Sequence, residues 1–333
     1  MIEIDGSYGE GGGQILRSAV AVSAITGTAV KIVNIRKNRP RPGLSIQHIK
    51  SIELVGQMAG ATIEGLSPGS TAISFTPSKI GGGNYSLDIG TAGSISLVLQ
   101  SVTPVAAFAP SPVSIKIVGG TDVRWSPTID YFKHVTLPAL GMFGFRGSLS
   151  LQSRGFFPVG GGCVTVDIEP ADLRGAVLDE HKDGPVKGVS ATSNLPPHVS
   201  RRQEGAARKY LESVGMEVGE IALDIRNDLS TGSSITLFSG FHGGSALGER
   251  GLPAEKVGTE AAINLANCLE SGAAVDPFLC DQLVTFMALS KGSSRITTSS
   301  VTSHAVTNMW IMEKMTGRRF TVEKNRNIII QSV

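Results

Sequence analysis

The sequence predicts a mixed α/β fold (α+β layers) of three βαβαββ units, with a small α/β domain inserted in the third. Three observations predict it. The order strand, helix, strand, helix, hairpin recurs three times along the 333 residues, and a recurring order marks a repeat architecture. Glycine-rich turns carry the chain from strand to helix in the first two units, at 9–13 and 90–93. The stretch from about 184 to 274 matches no unit and holds strands and helices of its own. The units then span about 1–80, 83–169, and 173–183 plus 275–333; the main domain is 1–183 with 275–333, and the inserted domain is 184–274.

In the first unit, residues 1–4 alternate as a strand does, and a helical pattern over 14–25 ends near Gly27. Residues 30–35 (Val-Lys-Ile-Val-Asn-Ile) form a strand. Prolines in Arg36-Lys-Asn-Arg-Pro-Arg-Pro-Gly43 delay the next helix, because a residue before proline avoids the α region. That helix covers about 44–58, with Ile46, Ile49 and Ile52 on one face. Segments 61–64 and 72–75 flank a Ser-Pro-Gly-Ser turn as a hairpin.

The second unit repeats this order: strand 85–89, helix 94–108, strand 113–118, a helix capped by Ser126-Pro127, and a hairpin of 148–152 with 163–168. The third opens with 173–178 and resumes at Asp276-Pro277, which caps a helix through Leu289. Strand 295–298, helix 304–315 and the hairpin 319–323 with 328–331 complete it. Within the insert, 186–192, 221–225 and 234–238 read as strands, and 199–214 and 257–269 as helices.

Composition narrows the function classes. A hydrophobic fraction of 41% supports a sizeable core, and a net charge of +2 means that any nucleic acid is held by a local patch. Cys163, Cys268 and Cys280 form no CxxC and no even framework, the usage of reduced intracellular thiols. No stretch reads as a signal peptide or a membrane span. A cytoplasmic location is expected.

The chemistry concentrates at few places. Four glycines within 9–13 surround Glu10 and lead into a helix carrying Arg17. Unpaired N–H groups at such a helix start suit phosphate or another anion; Glu10 could hold a metal and Arg17 a phosphate, or the glycines only make a tight turn. His304 follows Thr302-Ser303 at a helix start. The helix dipole there favours neutral imidazole, which is nucleophilic; a solvated surface histidine is the plain alternative. Phe278, Asp281 and Gln282 are spaced three and four apart on one helix, a face suited to a nucleobase or ribose, or an ordinary polar face. Arg36, Lys37, Arg39 and Arg41 form the dense basic run, followed by Gln47 and His48. Polyphosphate or RNA backbone would fit it, as would plain solvation. The loop Thr121-Asp-Val-Arg-Trp125 carries a charge pair and a tryptophan that could stack on the substrate's terminal nucleotide or pack locally.

Taken together, Gly9-Glu-Gly-Gly-Gly-Gln-Ile-Leu-Arg17, Arg154-Gly-Phe-Phe-Pro-Val-Gly-Gly-Gly162, Cys280-Asp-Gln-Leu283 and Ser303-His-Ala-Val-Thr-Asn308 resemble the RNA 3′-terminal phosphate cyclases over essentially the whole chain. The resemblance implies the fold above and a reaction in three steps. The histidine matching His304 attacks the α-phosphorus of ATP to give histidyl-AMP. AMP passes to an RNA 3′-terminal phosphate, making RNA(3′)pp(5′)A. The vicinal 2′-hydroxyl then closes a 2′,3′-cyclic phosphate and releases AMP. Carried over by position, the resemblance implies Glu10 at a divalent metal (Mg2+ or Mn2+), and Arg17, Gln47, Arg39 and Arg36 about the nucleotide phosphates. It implies Asp281 at the ribose or beside His304, Phe278 on the adenine and Gln282 close by. ATP and RNA are the implied partners, and the sequence leaves homodimer formation open.

Three other readings compete: an enolpyruvyl transferase of related architecture, a non-catalytic cyclase-like RNA-processing factor, and a plain nucleotide-binding module. Transfer of AMP to the protein separates the cyclase from all three.

Overall fold

Ile4 is fully buried between exposed Glu3 and Asp5, and this alternation makes β1 (Ile2–Asp5) a strand with one face on the core. The computed structural model describes residues 1–181 and 184–333. After β1 come α1 (Gly13–Thr26), β2 (Val30–Val33), α2 (Ile46–Met58), β3 (Thr62–Glu64) and β4 (Ile73–Thr76). β1 runs parallel to β2, which a helical crossover permits, and β4 pairs antiparallel with both β2 and β3. The sheet order is β1-β2-β4-β3.

The same scheme appears twice more. β5 (Gly83–Asp88), α3 (Ile95–Ala107), β6 (Val113–Gly119), the short helices α4 (Ile129–Tyr131) and α5 (Leu137–Gly141), β7 (Arg146–Ser153) and β8 (Gly162–Glu169) give the order β5-β6-β8-β7. β9 (Val177–Leu178) lies on the edge of a third such sheet.

Between β9 and the rest of that sheet come β10 (Val186–Ser193), α6 (His198–Ser213), β11 (Val218–Arg226), β12 (Gly232–Ser239), β13 (His242–Leu247) and α7 (Ala254–Leu269), with sheet order β11-β10-β12-β13. α8 (Pro277–Leu289), β14 (Ser294–Thr298), α9 (Ser303–Thr316), β15 (Phe320–Lys324) and β16 (Ile328–Ser332) then complete the third sheet, β15-β16-β14-β9. Among the described residues the fold is mixed α/β with four four-stranded sheets, each combining parallel and antiparallel pairs.

Helices form the middle of the molecule. α1 packs on α2, α3 and α9, and α8 packs on α9 and α3. Ile15, Leu16, Val20, Val98, Leu99, Leu283 and Ile311 join one large apolar cluster. A second cluster holds Val186, Leu211, Ile235, Leu237 and Leu265, all from the stretch between β9 and α8.

The structure departs from the sequence reading in places. The helix after Ser126-Pro127 is capped by Thr128, whose Oγ1 accepts the Tyr131 N–H at 3.2 Å. Ser126 instead donates to the Val123 carbonyl at 2.9 Å. A π-helical turn, Phe132–Thr136, separates α4 from α5. Ile46 is exposed, whereas Ile49 and Ile52 are buried. β13 has no counterpart in the sequence reading; it contains Gly243-Gly244, residues that weaken a strand. A Cβ at Gly244 would lie 2.4 Å from the Ala261 carbonyl oxygen, so glycine lets α7 lie directly on the strand. The boundary expected between 183 and 184 borders residues 182–183, which lie outside the described residues.

Candidate active site

The loop between β1 and α1 brings Glu10 to the middle of the site. Gly9 and Gly11 both take left-handed backbone, φ 57°, which glycine adopts at little cost. α1 then starts at Gly12 with no side-chain cap, so its first N–H groups are left for a ligand. Gly13 is required by close packing: a Cβ there would meet His48 Nε2 at 2.3 Å and Arg17 Nη1 at 3.1 Å.

α9 approaches the same loop. Thr302 caps it by accepting the Ala305 N–H at 3.0 Å, which puts His304 in the first turn. His304 Nε2 lies 3.4 Å from Glu10 Oε2, and Arg39 Nη2 lies 3.3 Å from that same oxygen. Ser303 Oγ donates to the other oxygen, Oε1. That bond opposes burial and, with His304 and Arg39, holds the Glu10 carboxyl below its ordinary value. Burial lowers His304 below its usual 6.5; Glu10 pulls it up, and Arg17 and Arg39 push it down. The imidazole is therefore neutral at neutral pH.

Behind this lies a polar layer. Arg17 is buried, and burial lowers it to about 10. Its Nη2 donates to Gln14 Oε1 at 2.7 Å, while its Nε meets no acceptor. Among the described residues no carboxylate pairs with it. Asn308 Oδ1 accepts from Gln14 Nε2 (3.0 Å) and Ser18 Oγ (2.7 Å), and Asn308 Nδ2 donates to the Asp281 carbonyl (2.8 Å). Asp281 Oδ1 accepts the Thr302 hydroxyl. Burial pushes Asp281 up to about 7, assisted by Asp276 and Glu10. His48 accepts the Ser45 N–H at Nδ1 (3.2 Å), and burial, with Arg17 and Arg36, drops it to about 3.

Glu10, Arg17, Arg39, Asp281 and His304 thus come together. The other expected residues stand further out. Gln47 Oε1 accepts the Ser94 N–H at 3.4 Å, and Arg36 Nη1 donates to the Gly43 carbonyl at 3.0 Å, shaping its own loop. Phe278 is 62% exposed. Gln282 turns away from Asp281: its Oε1 accepts from Thr136 Oγ1 at 3.1 Å. Gln282 Nε2 also donates to the Phe278 carbonyl at 3.2 Å, so the Gln282 amide is engaged within the protein on both sides. Asp122 and Arg124 do not pair with each other either. Asp122 meets Arg154 at 3.1 Å, and Arg124 pairs with Glu249.

Sequence reasoning missed the polar layer. Gln14 with Ser18, and His304 with Asn308, are each four apart on a helix, a spacing that signals one shared face. It also missed the stack of Tyr8 on Trp310, with ring centres 4.0 Å apart, which seals the loop against α9. Arg154 was quoted only within a motif. It is 1% exposed and contacts Asp122 (3.1 Å), Asp130 (2.8 Å) and Asp224 (2.7 Å). Burial pushes Arg154 down, but the three carboxylates more than reverse this and hold it above its ordinary value.

A neutral histidine facing a carboxylate, beside an uncapped helix start and a buried guanidinium without a counter-ion, is suited to phosphate binding and transfer. Comparison with known proteins narrows this class. Residues 8–322 match the family model described as RNA 3′-terminal phosphate cyclase. The chain is 50% identical to the RNA 3′-terminal phosphate cyclase of Methanosarcina barkeri, with all of both chains covered. It is 49% identical to that of Archaeoglobus fulgidus, covering 99% of this chain and 100% of the relative, and 45% identical to that of Pyrococcus furiosus, covering 97% and 95%. This chain belongs to the RNA 3′-terminal phosphate cyclase family. Among solved structures, the enolpyruvyl transferase NikO from Streptomyces tendae overlaps 55% of this chain and 34% of its own at 11% identity, with a TM-score of 0.26. A likeness that slight carries no argument. No helix among the described residues is long and apolar enough to cross a membrane.

Proposed function

We propose that this chain uses ATP to convert an RNA 3′-terminal phosphate to a 2′,3′-cyclic phosphodiester, with His304 as the nucleophile. The observation that carries the assignment is the meeting of His304, Glu10 and the unpaired guanidinium of Arg17 at one glycine loop. His304 Nε2 attacks the α-phosphorus of ATP; a P–N bond forms, the bond to the bridging oxygen breaks and pyrophosphate leaves. An oxygen of the RNA 3′-phosphate then displaces the imidazole, making RNA(3′)pp(5′)A. Last, the 2′-hydroxyl attacks the 3′-phosphorus, loses its proton and expels AMP. Each step has a good leaving group.

Arg17, Arg39 and the α1 N–H groups bind phosphate oxygens, and the Gln47 amide NH2, left over by Ser94, adds a donor. Arg36 holds the loop that presents Arg39. Asp281, through Thr302, fixes the start of α9 and so orients His304. Phe278 offers a ring face to adenine, with Gln282 at its side. Glu10 would hold a divalent ion. No group of three or more His, Cys, Asp or Glu among the described residues could hold a metal by itself. One carboxylate together with substrate phosphates is a usual Mg2+ environment. When bound, the ion would neutralise charge on the phosphate oxygens.

Three βαβαββ units make the catalytic body in this reading, with 184–274 as an inserted domain. Its support is the shared pairing scheme of three sheets and the separate apolar cluster of the fourth.

Intact mass after incubation with ATP and Mg2+, without RNA, tests the first step. The expected result is a gain of one AMP, labile in acid and stable in base, that His304→Ala abolishes without loss of fold. An adduct that persists in His304→Ala removes that residue from its role. ATP binding without any adduct favours the non-catalytic RNA-processing factor.

A further inference from the structure

We propose that Trp125, with Phe157 on the segment paired with its loop, is the stacking platform for unpaired nucleobases at the 3′ end of the RNA. This rests on the cyclase reading above. Trp125 is 93% exposed, which removes the local packing that the sequence also allowed. Yet its loop is firmly held. Asp122 is buried against Arg154, Arg124 pairs with Glu249, and Thr128 caps the following helix. The backbone at Trp125 is left-handed, φ 61°, which a bulky side chain seldom adopts. Such strain persists where the surroundings impose it, and it clusters at ligand sites. The fold thus holds a large ring in water on a strained backbone.

A second exposed aromatic lies on the segment that pairs with the start of this loop. The Thr121 and Asp122 N–H groups both donate to the Gly155 carbonyl, at 2.8 and 3.2 Å. From that paired segment Phe156 turns inward at 4% exposure and Phe157 outward at 76%.

The base of the Trp125 loop is joined to the proposed site, although its charged residues turn to Arg154 and Glu249. The Gly120 N–H donates to the Gly93 carbonyl at 2.8 Å, and the next residue, Ser94, donates to Gln47. Gln47 precedes His48, which packs against Gly13 beside Arg17. A short chain of contacts therefore joins the phosphate-binding loop to Gly120, at the base of the loop that carries Trp125. An RNA whose 3′-phosphate reaches His304 must lay its last bases nearby. Unpaired bases stack on exposed aromatic rings with little regard to sequence. The adenine of ATP has its own exposed ring in Phe278, on the helix of Asp281.

Fluorescence anisotropy of a labelled, single-stranded RNA with a 3′-phosphate tests this. Trp125→Ala should weaken binding about tenfold, the scale of one lost stack. Trp125→Phe should retain most of the affinity, and Phe157→Ala should weaken it less than Trp125→Ala. AMP incorporation without RNA should keep its parent rate in each. Trp125→Gly relieves the backbone and should melt no lower than the parent while binding RNA as weakly as Trp125→Ala. Unchanged RNA affinity in Trp125→Ala overturns the proposal. So does slowed AMP incorporation with RNA affinity intact, because the ring would then serve adenosine. Failure of the parent to take AMP would sink the cyclase reading alone, since the anisotropy measurement still reports on Trp125.

Discussion

Arg154 and Glu10 each stand at the centre of a charged cluster, and the two clusters differ in access to water. Around Arg154, three carboxylates close on one guanidinium that is 1% exposed. Around Glu10, one carboxylate shares Arg39 and His304 at side-chain exposures between 34% and 44%. The first arrangement pairs its charges with one another. It ties the loop after β6, the start of α4 and the strand β11 together. The second leaves donors open, and two of its members, buried Arg17 and half-buried Asp281, have no opposite charge beside them among the described residues. The same residue types make a fastening in one place and a reactive centre in the other. Solvent access and unpaired charge, more than composition, separate them.

The largest test of this contrast is Arg154→Ala. It strands buried carboxylates and should cost about 3–5 kcal/mol, read as a lower urea midpoint. Arg39→Ala, at the open cluster, should change stability by less than about 1 kcal/mol. Equal losses would erase the distinction. An intermediate effect belongs to Asp281. Its carboxyl is raised to about 7 from 3.8, so between those values the folded chain keeps a proton that the unfolded chain has released. Stability therefore falls as pH rises through that window. Asp281→Asn should flatten this part of the urea-midpoint profile by about 1–3 kcal/mol; an unaltered slope would mean that Asp281 is ionised throughout. The smallest effect concerns His304. Burial sets its acid limb for AMP incorporation below 6.5, and Glu10 holds it up. Glu10→Gln should move that limb to lower pH, measured as the midpoint of the rate profile apart from any change in maximal rate. A shift to higher pH would contradict the assigned coupling.

Much of the open cluster was legible because its signals are local. Glycines before a helix, a Thr-Ser pair before His304 and Asp276-Pro277 before α8 each act within one turn of chain. The caps at Ser94, Asp276 and Thr302 stand where side-chain chemistry puts them. The loops after β2, β6 and β14 each follow the second strand of a sheet with the same strand order. Only the first and third converge on Glu10, through Arg39 and His304; the second turns to Arg154 and Glu249. That choice depends on Asp130 and Asp224 waiting for Arg154, contacts between segments far apart along the chain. Nothing within reach of a sequence window reveals them. The cap at Thr128 was misread for a smaller reason: Ser126-Pro127 is a valid helix start, but Ser126 Oγ closes a turn on Val123.

Glu10 and Ser303 are 293 positions apart, and Gln14 and Asn308 are 294 apart. During synthesis the glycine loop leaves the ribosome long before the histidine that faces it exists. On the proposed mechanism, a partly made chain lacking His304 has no residue to take up AMP. The proposed covalent step would then be reserved for chains whose two ends have met, and a protein losing its last helix and hairpin would keep the glycine loop without His304.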